Sequence, residues 1–224
     1  MQTVFIIPGY GIPKDILEDE PYKRYLGWVF NHIYQVCLDK KESKPVIIFC
    51  GGKTDIFKPY KRTESAEMKK LFLWFAKRDF VKKYTKDWQY RIENKSLSTV
   101  ENLLFAKKII DHLGGQKDIY IFVEYTRKLK IQTLAKRIFD HKVSVIALDF
   151  DLSVNRYREP EFLQKKERME ISFGLRAIKD EKFLVKYRKV FEEKLIYFRK
   201  AGPKKHQEAI SVWWQEKIKE LEIK

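Results

Sequence analysis

The sequence predicts an α/β protein: a Rossmann-like, doubly wound domain with a mainly parallel sheet, followed by a C-terminal helical extension. Three observations carry that expectation. Runs that are apolar at consecutive rather than alternate positions recur at residues 3–7, 45–50, 118–123 and 143–148, as in strands covered on both faces. Segments with apolar residues at helical spacing lie between these runs, so strand and helix alternate. Beyond residue 160 every segment has helical periodicity and no strand signal remains.

The elements follow in order. The first run is closed by Pro8, Gly9, Tyr10 and Gly11, which marks a strand entering a loop. A helix is expected over 22–38, with Tyr25, Trp28, Val29, His32, Ile33 and Val36 on one stripe. The second strand ends at Gly51 and Gly52. A helix over 63–77 places Met68, Leu71, Phe72 and Phe75 on one face, and 88–93 reads as a short strand. Ser98 or Thr99 opens the next helix, where Ser98 followed by Glu101 has the pattern of a capping box. Gly114 and Gly115 close it. A strand at 118–123, a helix at 128–139 and a strand at 143–148 complete a ligand-binding domain over 1–150. Residues 151–224 read as three helices, over 163–178, 181–200 and 204–223, packed on that domain or used for oligomerisation. Trp213 and Trp214 are adjacent, so they leave a helix about 100° apart. One is expected on the domain and the other on a partner subunit, which points to a homodimer through these helices.

Composition narrows the function classes. The chain has 224 residues, of which 44% are hydrophobic and 15% aromatic, enough to build a core and inconsistent with a disordered chain. Cys37 and Cys50 have no Cys or His neighbour at ligand spacing, so neither a disulfide scaffold nor a metal site is expected. No apolar run approaches the roughly 20 residues of a membrane span, and no leader pattern precedes the first strand, so a soluble, cytoplasmic protein is expected. The net charge is +16, densest over 51–91, where twelve basic residues face five acidic ones. Such a field attracts anions. Phe57, Tyr60, Tyr84, Trp88 and Tyr90 are interleaved with it, so a single-stranded nucleic-acid surface is the alternative function.

In an open parallel sheet, ligands bind beyond the carboxyl ends of the strands. That rule selects the loops at 8–13, 51–63, 94–99 and 124–128. Gly9, Gly11, Gly51 and Gly52 let backbone approach a ligand and offer amides to an anion. Gly51, Gly52, Lys53 and Thr54 lack the spacing of a phosphate-binding loop, which excludes a Walker-type nucleotide hydrolase. Glu64 and Glu67 suit a helix start on dipole grounds alone. Helix capping does not explain why Glu93 and Asn102 stand with a Ser/Thr pair near one strand end.

Here the residues resemble a known family. An apolar strand ending in Gly51 and Gly52, then Ser65, Ala66 and Glu67 opening a helix, then Glu93, Ser96, Thr99 and Asn102 at spacings of three, are similar to the YdcF/SanA-like (ElyC-like) family over about residues 4–149. The resemblance implies a Rossmann-like fold and, for members without a membrane anchor, a nucleotide-like ligand such as S-adenosylmethionine. The family pattern continues with a histidine after the third strong strand. Here Arg127 and Lys128 follow Thr126, Lys128 stands in the histidine's place, and His32, His112, His141 and His206 lie elsewhere. Arg127 and Lys128 suit a phosphate or carboxylate clamp. The expected site is therefore an anionic-ligand site. Gly9, Gly11, Gly51 and Gly52 approach the ligand, and Lys53, Arg127 and Lys128 neutralise its charge. Ser65, Ser96, Thr99 and Asn102 orient its polar groups. For a hydrolase or group transferase, Glu67 or Glu93 would be the general base.

Overall fold

The computed structural model describes residues 2–149 and 160–222. Five strands, β1 (Gln2–Pro8), β2 (Val46–Cys50), β3 (Gln89–Glu93), β4 (Lys117–Glu124) and β5 (Lys142–Leu148), form one sheet in the order β3-β2-β1-β4-β5. Every pairing is parallel, with Phe5 beside Ile47 on one side and Tyr120 on the other. The chain winds outward from β1 to β3 and then returns to place β4 beside β1. This reversal opens a crevice at the carboxyl ends of β1 and β4.

The uninterrupted apolar strands have a direct cause. Phe5, Ile7, Ile47 and Phe49 point to one face, where α1 (Glu20–Asp39), α2 (Glu64–Ala76) and α3 (Asp79–Thr85) cover them. Val4, Ile6, Val46 and Ile48 point to the other, beneath α4 (Thr99–His112) and α5 (Lys128–Ile138). Successive strand residues thus enter different cores. Ser98 and Glu101 form the expected capping box at the start of α4. The short α3 is absent from the sequence-based expectation, because it buries only Val81 and Thr85 and leaves no readable period.

The C-terminal part consists of α6 (Pro160–Lys179), α7 (Glu181–Ala201) and α8 (His206–Glu222), the last entered through a 3-10 turn at Pro203–Lys205. The expected boundary at 150/151 lies outside the described residues. Helix α6 lies on α5 so closely that a Cβ at Gly174 would fall 2.7 Å from a Leu134 methyl. Ala177, Tyr187, Phe191, Phe198, Ile210 and Trp214 join the same core as Val4 and Ile6. One expectation needs correction here. Trp213 and Trp214 are both buried within the chain, 8% and 2% exposed. Trp214 packs edge-on against Phe191 at 6.2 Å, and Trp213 tilts against Tyr197 at 5.5 Å. Helix α8 touches both α6 and α7, so two diverging side chains are covered without a partner subunit. Among the described residues, no helix is long and apolar enough to cross a membrane.

Candidate functional site

A cavity of about 120 Å³ lies at the carboxyl ends of the strands. Its floor comes from the loops of the α/β domain: Gly9, Tyr10 and Gly11 after β1, Gly51 and Thr54 after β2, and Ser96 to Thr99 after β3. Arg127 and Lys130 enter from the β4–α5 junction. The roof belongs to the extension, with Lys166 and Glu170 on α6, Phe191, Lys194 and Phe198 on α7, and His206 and Trp214 on α8.

Arginines hold these pieces together. Arg62 grips Asp55 with two bonds of 2.9 Å and donates to the carbonyls of Pro13 and Lys14 at 2.9 and 3.0 Å, tying the first two loops to each other. From α7, Arg199 donates to the carbonyls of Asp55 (3.0 Å) and Lys53 (2.9 Å). Arg188 reaches Glu101 (2.7 Å) and the carbonyl of Lys95 (3.1 Å). Helix α7 is thereby fastened across the loops that follow β2 and β3. Such planar, multi-donor contacts suit arginine and would be lost with lysine.

The glycines have a different role from the one expected. Gly9 N–H donates to the Cys50 carbonyl (2.9 Å), Gly51 N–H to Glu93 (3.0 Å) and Gly52 N–H to Ser96 (2.8 Å). Gly11 N–H donates to Glu64 Oε1 at 3.0 Å. Each amide has one hydrogen, so all four are already engaged within the chain. What the glycines provide is room. A Cβ on Gly9 would fall 2.0 Å from Glu64 Oε2, and one on Gly51 would fall 2.6 Å from the same atom. The hydroxyl of Thr54 completes the cradle by donating to Glu64 Oε1. The anion seated among the glycines is therefore the protein's own carboxylate.

Of the other expected site residues, Ser96, Thr99, Asn102 and Arg127 line the cavity with Gly9, Gly11 and Gly51. The rest do not. Glu67, one turn beyond Glu64, points to Arg62 at 3.8 Å. Glu93 is buried behind the wall and braces a turn, accepting from the amides of Lys95 (2.7 Å) and Ser96 (3.0 Å) and from the Ser96 hydroxyl. Ser65 is fully buried beside Thr63, Gly52 abuts the Ser96 carbonyl, and Lys53 and Lys128 are exposed. The Ser96 hydroxyl sits between the Glu93 carboxylate and the Asn102 side-chain amide. Its single hydrogen serves one of them, which fits a proton given to Glu93 and an Asn102 NH₂ donating to Ser96. Glu93 thus acts on the cavity only through Ser96 and Asn102.

The interleaved aromatics do not share a face. Trp88 is in the core, and Tyr90 stacks on Phe49 at 6.5 Å. Tyr60 lies under Arg199 at 4.8 Å, Phe57 lies under Arg62 at 5.5 Å, and Tyr84 is exposed elsewhere.

The charged groups that dominate the cavity were missed in the sequence. Lys130 bridges Glu167 and Glu170, and Lys166 bridges the same two carboxylates at 3.0 and 3.4 Å. Burial pushes the carboxyl pKa values up, but Lys130 and Lys166 outweigh it and hold Glu167 and Glu170 below the ordinary carboxylate range. The two ammonium and two carboxylate groups make a neutral, buried quartet. Lys194 has no such partner. Its ammonium lies over Phe191 at 4.4 Å, Trp214 at 5.3 Å and Phe198 at 5.9 Å, and it enters no hydrogen bond or ion pair among the described residues. Burial brings its pKa down to about 7; Glu170 opposes this, and Lys166 and Arg127 add to it. Arg127 lies over the Tyr10 ring at 4.6 Å, and burial pushes the Tyr10 phenol up. The wall thus carries Arg127, Lys130, Lys166 and Lys194 against Glu64 and Glu170. One signal was legible. The buried stripe of α6 runs Lys166, Glu167, Glu170, Gly174, Ala177, with three charges where a helix should present apolar residues to its core.

Among the described residues, no group of His, Cys, Asp and Glu side chains is placed to hold a metal ion. No protein-family model, curated protein or solved structure matches the chain. Fold and cavity define its class: a Rossmann-like α/β domain whose strand-end crevice is roofed by its own C-terminal helices.

Proposed function

We propose that this chain binds a small anionic metabolite, through a carboxylate or phosphate group, in the cavity between the strand ends and the helical roof. The observation that carries the reading is that Arg127 and Lys194 both line one crevice at the topological switch point, beside a Lys130–Lys166–Glu167–Glu170 quartet that is neutral in itself. Size sharpens it. About 120 Å³ is well below the roughly 300–1,000 Å³ of pockets that enclose drug-sized ligands. The cavity suits an acidic head group or a metabolite of a few heavy atoms, with any nucleoside portion outside. The cationic sulfonium of S-adenosylmethionine is disfavoured by the same charges. The nucleotide-like ligand implied by the resemblance to YdcF/SanA-like proteins is therefore narrowed to its anionic end. For a hydrolase or group transferase, Glu64 replaces Glu67 and Glu93 as the carboxylate at hand.

Calorimetric titration and thermal shift with phosphate, pyrophosphate and pyruvate test the proposal. A bound anion at a hundred times its Kd should stabilise the fold by ~2.7 kcal/mol. Arg127→Met should weaken binding about tenfold or more, as loss of one charge-assisted contact of roughly 1.5–3 kcal/mol implies. No shift with any of the three anions, or a shift that survives Arg127→Met and vanishes with added salt, overturns it.

A further inference from the structure

Three lysines line the cavity, Lys130, Lys166 and Lys194, and the first two are paired with carboxylates. Glu167 and Glu170 are both shared by Lys130 and Lys166. The amino groups of those two lysines are thereby committed to ion pairs. Lys194 is the third. It projects from the roof between the faces of Phe191, Phe198 and Trp214, with no carboxylate or carbonyl bonded to it among the described residues. It also lines the same cavity as Arg127. The arrangement therefore separates two jobs: a guanidinium that holds a ligand anion, and an unpaired amine that faces the ligand. Resting on the anion-binding reading above, we propose that Lys194 is a nucleophilic amine that forms an imine with a small 2-oxo acid held in this cavity.

The charged groups facing Lys194 from each packed element set its state. From α6, Glu170 favours the ammonium and Lys166 opposes it. Arg127, at the start of α5, opposes it, and Glu64 on α2 favours it weakly. His206 on α8 lies beyond Phe198, edge to face at 5.0 Å. Desolvation is the largest influence and brings the pKa to about 7, so a substantial fraction of the side chain is free amine at neutral pH, as imine-forming lysines require. In the step itself the amine nitrogen bonds to the ketone carbon, and the carbonyl electron pair moves to oxygen, which takes up one of the two protons shed by the nitrogen. The carbinolamine then loses one nitrogen-bound hydrogen and its hydroxyl as water. Amine plus 2-oxo acid gives imine plus water, with no change of oxidation state. The cavity of about 120 Å³ matches a substrate of pyruvate size.

The test uses the full chain with pyruvate as probe and lactate as the carbonyl-free control. Binding of both is measured by calorimetry, and the protein is treated with borohydride in the presence of each, followed by peptide mapping by mass spectrometry. The expected result is one reduced pyruvate adduct on the peptide carrying Lys194. Its yield should rise with pH through about 7, and lactate should leave none. Lys194→Met should cut total trapping about tenfold or more. The mapping on the unaltered protein decides the matter even if that variant folds poorly. Pyruvate that binds but gives no adduct, or adducts spread over exposed lysines, overturns the imine and leaves the anion site standing. Absence of binding by both acids overturns the imine, and the anion site falls with it only if phosphate and pyrophosphate also fail to bind.

Discussion

Lys194→Met should make the protein more stable, by an amount that depends on pH. In the unfolded chain this lysine titrates near its ordinary value of 10.5, and in the folded protein near 7. Between those values the unfolded state binds more protons than the native state, so the lysine's contribution makes stability rise with pH. Below pH 7 the penalty is fully present. A fall from 10.5 to about 7 corresponds to roughly 5 kcal/mol at 1.36 kcal/mol for each pH unit. The ring faces of Phe191, Phe198 and Trp214 attract the ammonium and return ~1–2 kcal/mol of this. Methionine keeps the unbranched stem and about the same volume, so packing changes little. The net gain expected at pH 6 is therefore on the order of 3 kcal/mol, shrinking steadily toward pH 10. Urea unfolding of both proteins at pH 6, 8 and 10, followed by tryptophan fluorescence, measures it directly. A loss of stability of equal size at all three pH values would refute the reasoning. It would mean that Lys194 is an ammonium ion held in place by the rings and Glu170, with no free amine at neutral pH.

Other outcomes follow from the same geometry. Glu170→Ala leaves Lys130 and Lys166 with one carboxylate between them and should cost about 3–5 kcal/mol at neutral pH, measured by chemical denaturation. Glu167 and Glu170 are both held below their ordinary value of 4.5. Their stabilisation is therefore complete above that pH and declines as pH falls below it, which a series of melting temperatures down to pH 3 will show. Glu93→Gln should lower stability by about 1–3 kcal/mol through its two turn amides and leave the Kd for anions within about twofold, the opposite of a catalytic base. Gly9→Ala should cost about 1–3 kcal/mol by overpacking against Glu64. In combination with Glu64→Ala the two losses should be less than additive, because the nearest clashing atom is gone.

The sheet was readable because its strands are apolar at every position, and both faces are indeed covered by helices. The start of α4 was readable because Ser98 and Glu101 satisfy each other locally. What the sequence could not reveal was where the strand-end amides go. Gly9, Gly11, Gly51 and Gly52 look like donors awaiting an anion until their partners, the carbonyls of Cys50, Glu93 and Ser96 and the carboxylate of Glu64, are placed in space. Register within a helix's first turn misled in the same way, since Glu64 and Glu67 are equivalent on dipole grounds and only Glu64 faces the crevice. The roof was least legible. Its charged residues are dozens of positions away from the loops they cover, and Lys194 becomes distinctive only when Glu167 and Glu170 are seen to be taken by two other lysines. Trp213 and Trp214 carried a dimer expectation for the same reason: the helices that bury both belong to this chain.

The most direct measurement is a crystal soaked with selenate, with the anion located by its anomalous scattering. An anion bound in the strand-end cavity, in contact with Arg127 and beneath Lys194, is the predicted result. Anions found only on the exposed basic stretch over 51–91, with the cavity empty at the same concentration, would contradict it.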